Sequence, residues 1–120
     1  MSYSNIQDEF LSEEDLLRAL NIAPEALSAL IDDYTIIGCK RNYDIIYPAI
    51  NLFDGKVNTR VSFLVQMFRS TILEGWEIYR WITEPNDLLE EITPYEYIML
   101  NGLNEKIRLI SELKILLEIV

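Results

Sequence analysis

The sequence contains no histidine, and its four glycines stand apart from one another. Histidine is the side chain that most often transfers protons near neutral pH, and it is a frequent zinc ligand. Its absence excludes the Ser-His-Asp and Cys-His arrangements of nucleophilic catalysis. Isolated glycines exclude the Gly-rich loops that hold phosphate groups. We therefore expect a protein that is not an enzyme and that needs no cofactor and no metal ion.

Three short strings still carry a chemical suggestion. Asp32-Asp33 and Glu90-Glu91 are acid pairs, but neither has the alternating acid spacing of a calcium loop. Ser111 and Lys114 match the S-x-x-K string of some acyl transferases, whose companion motifs are missing here. We interpret the acid pairs as solvated surface and the S-x-x-K match as a coincidence.

Basic residues are few. The chain has 10 Lys and Arg against 20 Asp and Glu, which gives a net charge of −10. A field of this sign repels nucleic acids and anionic membranes, whose binding depends on positive side chains. Two interpretations remain open: a surface that keeps the protein in solution, or a surface that matches a basic partner or mimics nucleic acid.

Cysteine and long apolar runs are also scarce. A single cysteine, Cys39, cannot form an intramolecular disulfide, and its apolar surroundings favour a packed small hydrophobe over a reactive thiol. No apolar run approaches the ~20 residues of a membrane span. The first residues have neither the basic nor the apolar region of a signal peptide. We expect a cytoplasmic protein that is not bound to a membrane.

Half of the residues are hydrophobic, enough for a proper core, and their pattern predicts a mainly α fold. Residues 1–10 are expected to be a loose lead-in. Ser12 and Pro24 each open a short helix. Residues 34–39 and 43–47 are predicted to form a small hairpin around the basic Lys40-Arg41 pair, and Asp54-Gly55 is a turn signal. This N-terminal part (residues 1–57) resembles a helix-turn-helix unit with a β wing.

The second part (residues 58–120) is predicted to be a helical bundle on which the first part packs. A stripe from Val61 to Ile72 predicts one helix to about residue 74, which Gly75 ends before a shorter helix begins. Thr93-Pro94 opens a further helix, and Asn101-Gly102 closes it. In the last helix, at about residues 104–119, the pattern assigns Ile107, Ile110, Leu113 and Leu117 to one face and Leu109, Leu116 and Val120 to others.

The segment from residue 81 to residue 96 carries the most distinctive motif. It combines an aromatic–aliphatic pair, a Pro-Asn turn, a leucine, Thr-Pro at a helix start and a later glycine. The residues in these places are Trp81, Ile82, Pro85, Asn86, Leu89, Thr93, Pro94 and Gly102. The chain resembles in this respect the toxin-binding domain of the Xre/MbcA/ParS antitoxin family, and the likeness extends over roughly residues 12–115. It departs from that family at Glu90-Glu91, where members usually have a Gly-Gly-like turn.

The resemblance implies a protein that neutralises a RES-domain toxin, which attacks NAD, by binding over the toxin's active-site pocket. We expect the motif residues, with Trp81 as a core anchor, to be mainly structural. The last helix has apolar residues on too many faces for burial on one side. The predicted contact residues, for the toxin or for another copy of the chain, are therefore Leu109, Leu116, Ile119, Val120, Glu90 and Glu91.

Many members of that family also carry a DNA-binding unit. Here residues 24–33, in the place of a recognition helix, hold no Lys or Arg and end in two acids. A helix that reads a DNA groove presents basic or amide side chains. Only Lys40 and Arg41 could touch a phosphate, so DNA binding is not expected. This unit is expected to pack or to join copies of the chain into a homo-oligomer.

Two other functions fit the same residues. The net charge fits an acidic inhibitor, for example a phage-encoded one, that blocks a nucleic-acid-binding protein by charge mimicry. The order of two helices and a wing fits a weak winged-helix transcriptional regulator. The Thr-Pro motif favours the antitoxin, and the acidic end of the second helix counts against the regulator.

Overall fold

A computed structural model describes residues 6–119 and is mainly helical, which confirms the predicted mainly α class. The described residues contain six α-helices of eight residues or more. In chain order the elements are β1 (Phe10–Leu11), α1 (Glu13–Leu20), α2 (Pro24–Asp32), β2 (Cys39–Arg41), β3 (Asp44–Pro48), β4 (Leu52–Phe53), β5 (Lys56–Val57), α3 (Thr59–Met67), α4 (Gly75–Thr83), α5 (Pro94–Asn101) and α6 (Glu105–Ile119), with 3₁₀ turns at Ala49–Asn51 and Asp87–Leu89.

Local capping chemistry sets the helix starts that the sequence predicted. The Ser12 hydroxyl accepts a hydrogen bond from the Asp15 N–H (3.1 Å) at the start of α1. Pro24 is the first residue of α2, where its missing N–H has no partner to lose. The Thr93 hydroxyl accepts from the Glu96 N–H (3.0 Å) at the start of α5. The hydroxyls of Ser12 and Thr93 thus each satisfy an N–H group that the helix itself leaves unpaired.

A three-stranded antiparallel sheet has β3 at its centre, between β1 and β2. The predicted hairpin exists, but its first strand was placed wrongly. That strand begins at Cys39 and includes Lys40 and Arg41. The preceding Ile36-Ile37 run is buried without being a strand, because the Asn51 side-chain amide takes the place of a strand partner. Asn51 accepts from the Ile37 N–H and donates to the Ile37 carbonyl, both at 2.9 Å.

The prediction of a loose lead-in is wrong for residues 6–10. Gln7 is 4% exposed, and β1 pairs with β3. The Tyr79 hydroxyl donates to the Gln7 carbonyl (2.5 Å), and the Thr93 hydroxyl donates to Oε1 of Gln7 (2.6 Å). These hydrogen bonds connect the segment around Gln7 to α4 and α5. Residues 1–5 lie outside the described range.

Helix α3 is shorter than predicted. It ends at Met67, not near residue 74, and Ile72 is 88% exposed where the stripe placed it in the core. The Thr71 hydroxyl donates to the Phe68 carbonyl (2.7 Å), a bond that belongs to a turn. The apolar spacing alone cannot detect this because the turn keeps Leu73 buried.

Gly75 was also misassigned, because it begins α4 and does not end α3. Glu74 and Glu77 form a capping box at this start: each side chain accepts a hydrogen bond from the other residue's backbone N–H. Gly75 lies against the backbone of Gly38, so the site has no room for a side chain.

Two apolar clusters form the core. One consists of Leu16, Leu27, Ile36 and Tyr47. The other gathers the residues of α3 to α6 together with Ile37, Cys39, Ile46 and Ile50 from the hairpin region. The residues around the hairpin therefore serve both clusters. The division at residues 1–57 and 58–120 stays a prediction, as does the comparison of the first part with a helix-turn-helix.

Candidate protein-interaction surface

Helix α6 presents apolar side chains to two opposite sides. Its inner side is formed by Ile107 and Ile110, which are 1% and 9% exposed, together with the fully buried Ser111. The Ser111 hydroxyl donates to the Ile107 carbonyl (2.8 Å), so it needs no partner outside the helix. The outer side, together with the last turns of the helix, carries four leucines that are 47–68% exposed. We call this set the leucine stripe: Leu109, Leu113, Leu116 and Leu117.

Two of the predicted contact residues, Leu109 and Leu116, thus lie at the surface. The pattern placed Leu113 and Leu117 on one face with Ile107 and Ile110, but only the two isoleucines are buried, and the two leucines are 47% and 68% exposed. At 100° per residue Leu113 is rotated about 120° from Ile107, and so points away from the core. Leu117 lies on the side of Ile110 but two turns further along, and it is 68% exposed.

The last residues of the helix complete the account of the predicted contacts. Ile119 is the final residue of α6, but the structure does not describe its side chain. Val120 lies outside the described residues. Their assignment to a partner surface stays a prediction. Within the described residues the inner side of the last turns holds Lys114 and Glu118, whose charged atoms are 2.6 Å apart and whose side chains are less than one-third exposed.

The charges of α6 cancel. Its residues include three acids and three basic side chains, whereas the whole chain carries −10. Lys106 lies over the Tyr97 ring, with Nζ 5.9 Å from the ring centroid. The acid excess therefore lies in the rest of the molecule, and the leucine stripe is on its neutral part.

A groove of about 250 Å³ lies between α3 and α6, on the other flank of α6 from the leucine stripe. Phe63 and Leu103, at 61% and 36% exposure, form its apolar walls. Arg108 and Glu112 line the same groove. It extends the apolar surface of the helical half beyond the stripe.

The Glu90-Glu91 loop has an unusual backbone. Glu90 and Glu91 have φ of 58° and 70°, in the left-handed region that favours glycine. Hydrogen bonds hold this shape: the Glu91 N–H donates to the Asn86 carbonyl, and the Asn86 N–H donates to the Ile92 carbonyl, both at 3.0 Å. Both glutamate side chains are exposed. A hydrogen bond with the Asp87 carboxyl, and its negative charge, raise the pKa of Glu91.

The other motif residues occupy structural positions. Leu89 is 2% exposed, and Thr93 is 5% exposed. Asn86 accepts from the Leu88 N–H (2.9 Å), Pro94 is buried, and Gly102 closes α5 with φ of 75°. Pro85 is exposed at the turn.

Trp81 was expected to anchor the core and is only half-buried. It packs edge-on against Phe68, with ring centroids 5.4 Å apart. Its neighbour Ile82 is fully buried instead. The structure also places Gln7 among the buried polar groups, a role that its isolated position in the sequence gave no means of finding.

The helix in the place of a DNA-recognition helix presents acidic side chains, whereas a DNA-binding protein needs basic side chains there. Glu25 and Asp32 of α2 are exposed, and no basic residue lies on that helix. Lys40 and Arg41 are exposed on β2. Arg41 shares a surface groove of about 460 Å³ with Glu13, Glu14 and Asp44, so acids surround its charge.

Two further kinds of site are missing from the part of the chain that the structure describes. Residues 6–119 hold no group of three side chains able to bind a metal ion, and no helix among them is long and apolar enough to cross a membrane. Cys39 is fully buried, and this burial raises the pKa of its thiol to about 12, so it packs as a small apolar side chain.

No family model matches the chain, and comparisons with curated proteins and with solved structures find no significant match.

Proposed function

We propose that this protein binds another protein and neutralises it in the manner of an antitoxin, with a RES-type, NAD-degrading toxin as the partner. The observation that carries the proposal is the leucine stripe, an apolar face on an otherwise acidic molecule. The contact surface has two parts: the stripe on α6 and the acidic Glu90-Glu91 loop. The protein occludes the toxin's active site and performs no chemistry itself.

The energy available at the stripe sets a condition on the partner. Full burial of a leucine is worth about 1.5–3 kcal/mol, and the stripe leucines are roughly half exposed. Covering all four would therefore contribute about 3–6 kcal/mol. Association costs about 4–15 kcal/mol before any contact is counted. A partner must thus bring a complementary apolar surface, further contacts elsewhere, or both.

The backbone at Glu90-Glu91 supports the antitoxin interpretation in particular. The resemblance implies a Gly-Gly-like turn there, and both glutamates hold the left-handed φ that such a turn requires. A left-handed non-glycine residue is disfavoured by roughly 1–2 kcal/mol. Two exposed acids kept at that cost are more readily explained by a binding role than by folding.

A second candidate function is an acidic inhibitor that mimics nucleic acid. The net charge of −10 favours it, as do the exposed carboxylates of Glu84, Asp87, Glu90 and Glu91 within one short segment. This candidate does not explain the leucine stripe, so it ranks second. A winged-helix regulator ranks third because α2 lacks basic residues.

Co-expression with a RES-type toxin, taken from the same operon if the gene has such a neighbour, tests the proposal. Wild-type protein should restore growth and cellular NAD, whereas the Leu109→Lys, Leu116→Lys double variant should not. The matched control is Leu100→Lys, which alters a leucine on α5 that is 65% exposed and lies off the stripe. Circular dichroism of each variant checks that it is folded. Full protection by a folded stripe variant would mean that the stripe does not bind the toxin.

A further inference from the structure

We propose that the leucine stripe joins two copies of this chain, whose α6 helices pair side by side and antiparallel. The inference rests on the proposed function only in taking the stripe as a contact surface. It names a second copy as the occupant of that surface while no toxin is bound, and in this dimer the acidic surface with the Glu90-Glu91 loop stays open to another protein.

The spacing of the stripe suits the pairing of two helices. Leu109, Leu113 and Leu116 follow one another at intervals of four and three residues, which is the repeat of a helix–helix seam. Leu117 widens the face at its C-terminal end. The inner side of α6 is already filled by the core, and nothing within residues 6–119 covers the outer seam. A second copy supplies an identical seam, which is how two-fold symmetric interfaces form.

Charge distribution favours a second copy at this place. Two molecules of net charge −10 repel each other wherever their acidic surfaces meet. Helix α6, with three acids and three basic residues, is the part of the chain where two copies meet with the least repulsion. A basic partner would instead be drawn to the acid-rich surfaces outside this helix.

The order of charges along α6 sets the direction of the pair. Glu105, Lys106 and Arg108 give the first turns a net charge of about +1 by simple addition, and Glu112, Lys114 and Glu118 give the later turns about −1. A parallel pair would place like charges together. An antiparallel pair places the positive end of one helix beside the negative end of the other, and it also opposes the two helix dipoles favourably.

The interface is small. At 1.5 Å per residue the 15 residues of α6 span roughly 22 Å, so the paired stripes lie at the low end of specific interfaces. We therefore expect a reversible dimer with a dissociation constant on the order of 10⁻⁵ M.

Sedimentation equilibrium of the full chain alone, at about 5 to 500 µM, tests the dimer. Wild type and Leu100→Glu should dimerise with similar constants. Leu113→Glu should weaken dimerisation by roughly 100-fold or more, because it places two carboxylates in the centre of the seam. A wild-type protein that stays monomeric throughout, or a Leu113→Glu variant that dimerises as wild type does, overturns the proposal.

The salt dependence of the association distinguishes a dimer of this chain from a complex with a basic molecule that co-purifies with it. Raising the salt from about 0.05 to 0.5 M screens the repulsion between two acidic chains, so self-association should strengthen. Association that weakens with salt, as attraction to a basic molecule would, contradicts the inference.

Cross-linking through introduced cysteines checks the direction, since Cys39 is fully buried. In an antiparallel pair centred at Leu113, the two copies of residue 113 lie close together, while those of residue 106 are roughly 20 Å apart along the helices. Leu113→Cys should therefore form a disulfide-linked dimer under oxidation, and Lys106→Cys should not. Cross-linking by both variants would indicate a parallel pair, and cross-linking by neither would exclude the seam.

None of these measurements includes a toxin, so failure of the dimer leaves the neutralisation of a toxin open. Failure of the co-expression experiment, in turn, leaves the dimer standing. Within the dimer model Glu90→Gln, Glu91→Gln protein should retain wild-type self-association, which separates the two parts of the contact surface.

Discussion

Gly75, the first residue of α4, lies so close to Gly38 that a Cβ at position 75 would overlap the Gly38 carbonyl oxygen. The contact is between two backbones, where neither residue has a flexible side chain to move aside. Nearby, Nε1–H of Trp76 donates to the Lys40 carbonyl (2.5 Å), which fixes the same helix start on β2. This crossing joins the hairpin to the helical half.

Gly75→Ala is therefore expected to destabilise the fold by about 3 kcal/mol or more, even though alanine is the better helix former. Urea unfolding followed by circular dichroism measures the change. Gly55→Ala is the matched control: Gly55 has φ of 74° and open space around it, so only the left-handed backbone is penalised, by roughly 1 kcal/mol. Equal losses for the two variants would mean that the crossing is looser than described.

Thr93→Ala should destabilise the protein by roughly 2–4 kcal/mol, more than the loss of a helix cap alone. The hydroxyl caps α5 and also donates to Oε1 of Gln7 (2.6 Å), which is buried and would lose this donor. Thr93→Ser keeps both bonds and should cost less than about 1 kcal/mol. Denaturant titrations of the two variants check the difference. If Thr93→Ala loses only about 1 kcal/mol, the bond to Gln7 contributes nothing.

The same threonine shows what the sequence could and could not predict. Helix starts at Ser12, Pro24 and Thr93 depend on neighbouring residues, so they were predictable. The bond from Thr93 to Gln7 joins residues 86 positions apart, and nothing local announces it. For the same reason the pairing of Asn51 with Ile37 was missed, and with it the true start of the first hairpin strand.

The candidate surface was predictable only in part. An excess of apolar residues on the last helix indicated that some must be exposed. Which of them face outward depends on where α3 and α5 pack, and this decides that Leu113 and Leu117 join the stripe while Ser111 goes inside. The spacing of the apolar residues fits either orientation of the helix, so the sequence alone cannot tell which side faces the core.

Glu90→Gly and Glu91→Gly should each leave stability unchanged or raise it by up to about 1.5 kcal/mol. Glycine removes a left-handed backbone strain of roughly 1–2 kcal/mol. Because the unfolded chain is freer with glycine, about 0.5–1 kcal/mol of this gain in stability is lost again. Asp54→Gly, at φ of 53° in the β4–β5 turn, is a control for the same exchange away from the candidate surface. Thermal melts would show the sign. A clear loss at position 90 or 91 would indicate that the glutamate side chains stabilise the loop.

Stability is expected to fall in alkali, from about pH 9 upward. Burial raises the pKa of the Cys39 thiol from 9.0 to about 12, and raises that of the Tyr47 hydroxyl, which also faces Glu13, from 10.0 to about 12. A group whose folded pKa is raised keeps its proton more tightly when folded, so its contribution is complete below the unfolded pKa and is lost as pH rises toward the folded one.

The slope of the unfolding free energy against pH shows which of these two side chains is responsible. Each can lower the free energy of unfolding by up to about 1.4 kcal/mol per pH unit, with Cys39 acting from about pH 9 and Tyr47 from about pH 10. Urea midpoints between pH 8 and 11 measure it. Cys39→Ala should be less stable at pH 8 because of the small cavity, yet it should show a flatter decline above pH 9. Parallel declines for the two proteins would show that the thiol is not responsible.

Duplex DNA should bind weakly, with a dissociation constant of about 10⁻⁴ M or weaker at physiological salt. Helix α2 has no basic residue, its Glu25 and Asp32 are exposed, and Arg41 shares its groove with three acids. Fluorescence anisotropy with a labelled fragment of the protein's own promoter measures this affinity, with an unrelated duplex of equal length as the control. A Lys40→Ala, Arg41→Ala variant should bind no differently, because there is no hairpin contact to lose. Sub-micromolar binding that this variant abolishes would restore the winged-helix regulator as the function and place its phosphate contacts on β2.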